Sequence, residues 1–252
     1  MRTVYFLSDF GVRDVYAGVV RAVLRRRAPG AAVVDLAHDL PPDDLRHAAF
    51  QLYAAVPYLE PGGVVLAVVD PGVGTARRAL AVRGERLWYV LPDNGLLSLA
   101  ARLDPPRRAW RLEPERWAEG AVSATFHGRD VFAPAAAHLA AGRPAAALGP
   151  EVDAGGLVRL GVDVVPGPEG EVLTFDRFGN AVTNLAPEAR PEAVWVSGRR
   201  LPVGRTFADV APGEALAYRG SAGLLEIAVH RGSAREALGL AEGAAVRLEP
   251  RV

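Results

Sequence analysis

A chain of 252 residues, half of them apolar and under a quarter charged, is long enough to bury one large core or two modest ones. Its 29 basic and 29 acidic side chains balance, so net charge directs it neither to nucleic acid nor to a membrane surface. With no cysteine, disulfides, thiolate metal sites and cysteine nucleophiles are excluded, and no apolar run reaches the ~18 residues of a membrane span.

The chain opens on MRTVYFLSDF, which reads as a strand over residues 3–7 and not as a signal peptide. Together with the lack of disulfides, this makes a cytoplasmic setting the expectation. Residues 15–27 have helical spacing and stop at Pro29-Gly30, and residues 32–36 read as a second strand of the buried type. Residues 43–56 read as a helix with an acidic first turn, and 64–69 as a very apolar strand ending at Asp70-Pro71-Gly72. Residues 87–91 form the next expected strand, closed by Pro92-Asp93-Asn94-Gly95, and a helix is expected to restart over 96–103. Continuous apolar strands between helices imply an α/β layered, Rossmann-like domain whose parallel or mixed sheet is covered on both faces.

The character changes after about residue 157. Residues 161–170 hold two prolines and three glycines, and the expected division is an α/β domain over 1–157, a linker over 158–170 and a smaller β domain over 171–252. Short strand-like pieces at 171–175, 193–196, 215–218, 224–229 and 245–248, separated by turn residues, suggest a barrel-like fold.

Three stretches carry chemistry. Asp9, in Ser8-Asp9-Phe10-Gly11, follows the first strand, where open α/β sheets bind ligands; it could accept from a ribose diol or cap the next helix. In VVDPGVGTAR the strand delivers Asp70 into a Pro/Gly-rich loop, and Arg77, seven residues on, could fold back to pair with it. This is no phosphate loop, because the GK[ST] ending is missing. Among five histidines, His127 is the best catalytic candidate, flanked in TFHGRD by aromatic, glycine, arginine and aspartate; His38 and His47 are expected on or near helix surfaces. No histidine and carboxylate spacing supports a metal site. In FDRFGN, Asp176 and Asn180 beside Phe178 suit adenine or amino-acid recognition, or a simple turn. The late GSAG turn and EIAV strand are weak signals alone.

Together FLSDFG, VVDPGVGTARR, LPDNGLL, TFHGRDVFAPAAAHLA, FDRFGNAVTN and GSAGLLEIAV resemble the S-adenosylmethionine hydroxide adenosyltransferase family, relatives of fluorinase and chlorinase, over nearly the whole chain. The resemblance implies a homotrimer, with substrate bound between the first domain of one subunit and the second domain of its neighbour. It implies hydrolysis of S-adenosylmethionine (SAM) to adenosine and methionine, with Asp70, Arg77 and His127 activating water. Asp9 would then bind the ribose hydroxyls, while Asp14, Asp176 and Ser221 would lie near the methionine end. Asn180 and the backbone around Val229 would hold adenine, with Phe178 and Glu226 close to the ligand. One departure is Ala222, where the halogenases have arginine after the serine.

The implied reaction is in-line attack of water on ribose C5′, with a neutral thioether leaving and no metal or organic cofactor. The rival readings are a SAM or adenosine sensor with slight turnover, a halogenase, and a metal-dependent hydrolase using Asp70, Asp93 and His127.

Overall fold

The computed structural model describes residues 1–118 and 120–250, which form two compact units, Met1–Leu160 and Gly161 onward. Among the described residues the first unit holds a seven-stranded sheet: β1 (Val4–Ser8), β2 (Val33–Ala37), β3 (Val64–Val68), β4 (Ala79–Arg83), β5 (Trp88–Pro92), β6 (Arg108–Arg111) and β7 (Glu151–Val152), in the order β2-β1-β3-β5-β4-β6-β7. The first four in that order run parallel, and β4, β6 and β7 are added antiparallel. The sheet is therefore mixed and is covered on both faces.

Strand alternation builds the two half-cores. Val4 and Phe6 of β1, with Val64, Leu66 and Val68 of β3, pack on one face against α1 (Tyr16–Arg27) and the alanine-rich α3 (Ala133–Ala140). Tyr5, Leu7, Val65 and Ala67 face the other way, toward α2 (Leu45–Ala55). Helix α1 buries Ala17, Val20 and Leu24, the spacing of one helical stripe, and its last turn carries Arg25, Arg26 and Arg27 at the negative end of the dipole.

Several elements depart from expectation. Strand β2 is an edge strand and only partly covered, with Val34 exposed, because it pairs on one side alone. Helix α2 has no acid in its first turn; Asp44 is its cap and accepts from His47 N–H at 2.8 Å. Residues 96–103 form turns and a short 3₁₀ segment, Ala100–Arg102, in place of a helix. Leu96, Leu97 and Leu99 are all buried there, so the stretch fills the core on several sides and has no single apolar stripe. Strands β4, β6 and β7 had no counterpart in the sequence reading.

Residues 158–170 are divided between the units. Val158 N–H donates to Asp93 and Leu160 N–H to Ser98 in the first unit, whereas Val165 N–H and Asp163 C=O bond to Asn184 in the second. The second unit contains β8 (Glu169–Phe175), β9 (Ala181–Thr183), β10 (Ala193–Val196), β11 (Arg199–Pro202), β12 (Ala215–Arg219), β13 (Leu225–Val229) and β14 (Ala245–Glu249). Among the described residues they form one antiparallel sheet, ordered β11-β10-β14-β8-β9-β13-β12. Just past β11 a bridge from Val203 to Ala217 of β12 joins the two outer strands, which makes the sheet barrel-like.

No described helix is long and apolar enough to cross a membrane.

Candidate active site

The carboxyl ends of adjacent parallel strands β1 and β3 deliver Asp9 and Asp70 to the same edge of the sheet, the place where open α/β sheets bind ligands. Asp70 is held from behind: Asn94 Nδ2 donates to Val69 C=O at 2.9 Å. The loop from Asp70 to Arg77 then folds back. Gly74 makes this possible, because it has φ +78° and a Cβ there would sit 2.7 Å from Ala124 C=O. That close approach sets the loop against residues 123–127 and brings Arg77 to His127.

Arg77 joins the other two. Its Nε donates to Asp70 Oδ1 at 2.9 Å and its Nη2 to Asp70 Oδ2, a two-pronged pair with both side chains nearly buried. The same Nη2 lies 2.8 Å from His127 Nδ1. A guanidinium only donates, so Nδ1 accepts and the neutral ring carries its proton on Nε2. Burial first, then the Arg77 charge, holds the His127 pKa below the usual histidine value, against the smaller pull of Asp70 and Asp130. His127 immediately precedes a wide π-type turn, Gly128–Phe132, that leads into α3. Phe10 packs on Gly128 so closely that a Cβ there would meet the ring at 2.7 Å, and Phe126 and Tyr16 complete an edge-to-face aromatic wall.

Asp9 is half-buried and accepts from Asp43 N–H at 3.3 Å. Burial raises its pKa most, with the negative charges of Asp43 and Asp70 adding to the effect. Asp14 is exposed in the loop before α1. Asp93 turns away from Asp70 and pairs with Arg78 at 2.7 Å. Among the described residues no group of three His, Asp or Glu side chains is placed to hold a metal ion.

In the second unit Asp176 organises the turn after β8. Its Oδ1 accepts from Phe178 N–H and Asn180 N–H, and its Oδ2 from Asn180 Nδ2, leaving Asn180 buried and Phe178 exposed. Ser221 is exposed on the turn between β12 and β13. Beneath that turn the Glu226 carboxyl lies over Gly220 and accepts from Tyr218 OH. Burial and the charge of Asp176 raise the Glu226 pKa. Val229 closes β13, and its carbonyl accepts from Gly232 N–H at 3.0 Å.

His38 and His47 are not on helix surfaces: both are buried, His38 in the loop after β2 and His47 inside α2. The sequence reading also missed Asn94, which sits in a Pro-Asp-Asn-Gly run that looks like an ordinary turn.

A family model for the SAM hydroxide adenosyltransferase N-terminal domain matches residues 4–149, and the model for the C-terminal domain matches residues 170–247. The chain belongs to this family. Family members similar to it include a Thermus thermophilus protein named (R)-S-adenosyl-L-methionine hydrolase, 65% identical over 257 residues and covering 98% of this chain and 100% of the relative. A Salinispora tropica protein of the same name is 45% identical over 251 residues, covering 96% of each. A solved structure from Thermus thermophilus, titled only as a conserved hypothetical protein, superposes with a TM-score of 0.90 at 63% identity, covering 98% of this chain and 100% of that one.

Proposed function

We propose that the chain hydrolyses S-adenosyl-L-methionine to adenosine and L-methionine by attack of water on ribose C5′. Its relatives' names support the substrate, and the observation that carries the mechanism is Arg77 holding Asp70 and His127 together beside Asp9. The new bond is C5′–O and the broken one C5′–S; methionine leaves as a neutral thioether, so the leaving group needs no proton. The difficulty is the weak nucleophile. A lone pair of Asp70 left free by Arg77 accepts from the water and takes its proton, and His127 donates Nε2–H to orient the same water. Positioning and general-base assistance of this kind contribute about 10²–10⁴-fold.

Asp9 binds the ribose hydroxyls in this reading. Asp14, Asp176 and Ser221 serve the methionine end, while Asn180, Phe178 and the backbone at Val229 serve adenine, with Glu226 beneath the Ser221 turn. The family resemblance supports a homotrimer with its sites at subunit interfaces, acting in the cytoplasm without metal or organic cofactor. Halide attack is disfavoured by Asp70, whose charge taken alone would repel an anion 4 Å away by about 4 kcal/mol at an effective dielectric of ~20, a repulsion that the paired Arg77 cation reduces.

Turnover of SAM in oxygen-18 water, with and without chloride and with and without a chelator, tests the proposal by mass spectrometry of the nucleoside. Adenosine labelled at the 5′ oxygen, unaffected by either addition, is expected. A 5′-chlorinated nucleoside, loss of activity in chelator, or binding without turnover would each overturn it.

A further inference from the structure

Ser8, the last residue of β1, is fully buried, and its Oγ lies 2.8 Å from His38 Nδ1. His38 Nε2 lies 3.0 Å from Asp35 Oδ1, and Asp35 pairs at its outer oxygen with Arg21 at 3.2 Å. The order serine, histidine, aspartate is that of a nucleophilic triad, but a serine with no accessible surface reaches no substrate carbon. The network has another consequence. A carboxylate accepts only, so Nε2 carries the ring proton, and in the neutral imidazole Nδ1 accepts a hydrogen bond from the Ser8 hydroxyl. The direction of every bond is thereby set. The His38 ring is further fixed by Phe6, whose ring centre is 4.4 Å away.

His38 also reaches the chain on the far side of Asp9: its carbonyl accepts from Gly11 N–H at 2.7 Å. One buried residue thus clasps Ser8 through its ring and Gly11 through its backbone, with Asp9 between them. We propose that His38, oriented by Asp35, is a positioning residue for ribose recognition: it holds the Asp9 carboxylate at the angle that receives both hydroxyls of the diol. This rests on the assignment of Asp9 to the ribose made above.

The test is steady-state kinetics with SAM and with its 2′-deoxy analogue for the unaltered chain, Asp9→Asn, His38→Ala, His38→Asn and the double variant Asp9→Asn/His38→Ala. The unaltered enzyme should prefer SAM in kcat/KM, and Asp9→Asn should erase most of that preference. His38→Ala should raise KM for SAM about tenfold or more with a smaller change for the deoxy analogue, and the double variant should be no worse than Asp9→Asn alone. His38→Asn keeps an acceptor near the position of Nδ1 and should restore part of the preference. If Asp9→Asn abolishes the preference but His38→Ala lowers both substrates equally, His38 is merely structural and the proposal fails. If Asp9→Asn leaves the preference intact, the Asp9 assignment itself fails and takes the proposal with it. Should His38→Ala not fold, Ser8→Ala breaks the same link from the other side and is read by the same ratio.

Discussion

Arg77 Nη2 donates to Nδ1 of His127 at 2.8 Å while the same guanidinium grips both oxygens of Asp70. In the neutral ring the His127 proton is therefore on Nε2, and the proposed mechanism uses that Nε2–H as the donor to water and the Asp70 carboxylate as the proton acceptor.

Nitrogen-15 spectra of His127 should report the Nε2–H form with a pKa below the usual histidine value of ~6.5. In that interval the unfolded chain binds the extra proton and the folded chain does not. This contribution is consequently intact above pH ~6.5, and stability declines as pH falls through the folded pKa. The His127 spectrum should stay in its neutral form over the same interval. A proton on Nδ1, or a raised pKa, would refute the assignment.

Arg77→Lys should lower kcat by about 10²-fold or more with less change in KM, because an ammonium cannot make the two parallel bonds and reach His127 as well. Asp70→Asn should behave alike, and the double variant should lose little more than either single one, since the residues act as a unit. Additive losses in single-turnover rates would show that they work separately.

Glu226→Gln should stabilise the chain near neutrality. The folded pKa of Glu226 is raised above its usual 4.5, so the folded state favours the protonated acid, and stability is lost as pH rises through the folded value. Glutamine cannot ionise and still accepts from Tyr218 OH. A Tm higher by about 2 °C at pH 7, with the gain vanishing below pH ~4, is the expected melt; a lower Tm at pH 7 would contradict it.

Asp104 is fully buried and receives Arg86 N–H, Leu87 N–H and Tyr89 OH, from the turn between β4 and β5 and from β5 itself, at 2.7–3.0 Å. Asp104→Asn puts an amide NH₂ where an acceptor is needed, at a cost of about 3 kcal/mol. Thermal unfolding should fall by roughly 6–12 °C with kcat unchanged; a smaller drop would mean the turn rearranges.

The pairing of Asp70 with Arg77 was legible because a buried strand ending in a carboxylate needs a nearby cation, and the Pro/Gly loop sets how far away that cation can be. Strands β8, β10, β12, β13 and β14 were legible from turn residues bracketing short apolar runs, whereas the three-residue β9 and the arginine-led β11 offered no such run. Strands β4 and β6 were not: Ala79–Arg83 and Arg108–Arg111 mix arginine into short runs, and their antiparallel partners are set by the whole sheet. His38 escaped for a similar reason. Its partners Ser8 and Asp35 come from two parallel strands whose alignment no local pattern reveals.

The alternation along β1 also makes the length of that strand count for more than its composition. Val4 and Phe6 feed one half-core, Tyr5 and Leu7 the other, and Asp9 follows directly. Exchanging one aliphatic or aromatic side chain for another there changes local fit. Deleting or inserting a single residue would swap the two half-cores and turn the carboxylate to the wrong face of the sheet. The segment is therefore expected to tolerate substitution far better than a change of length, and removing one residue within Val4–Asp9 should disassemble the site even where every remaining side chain is kept.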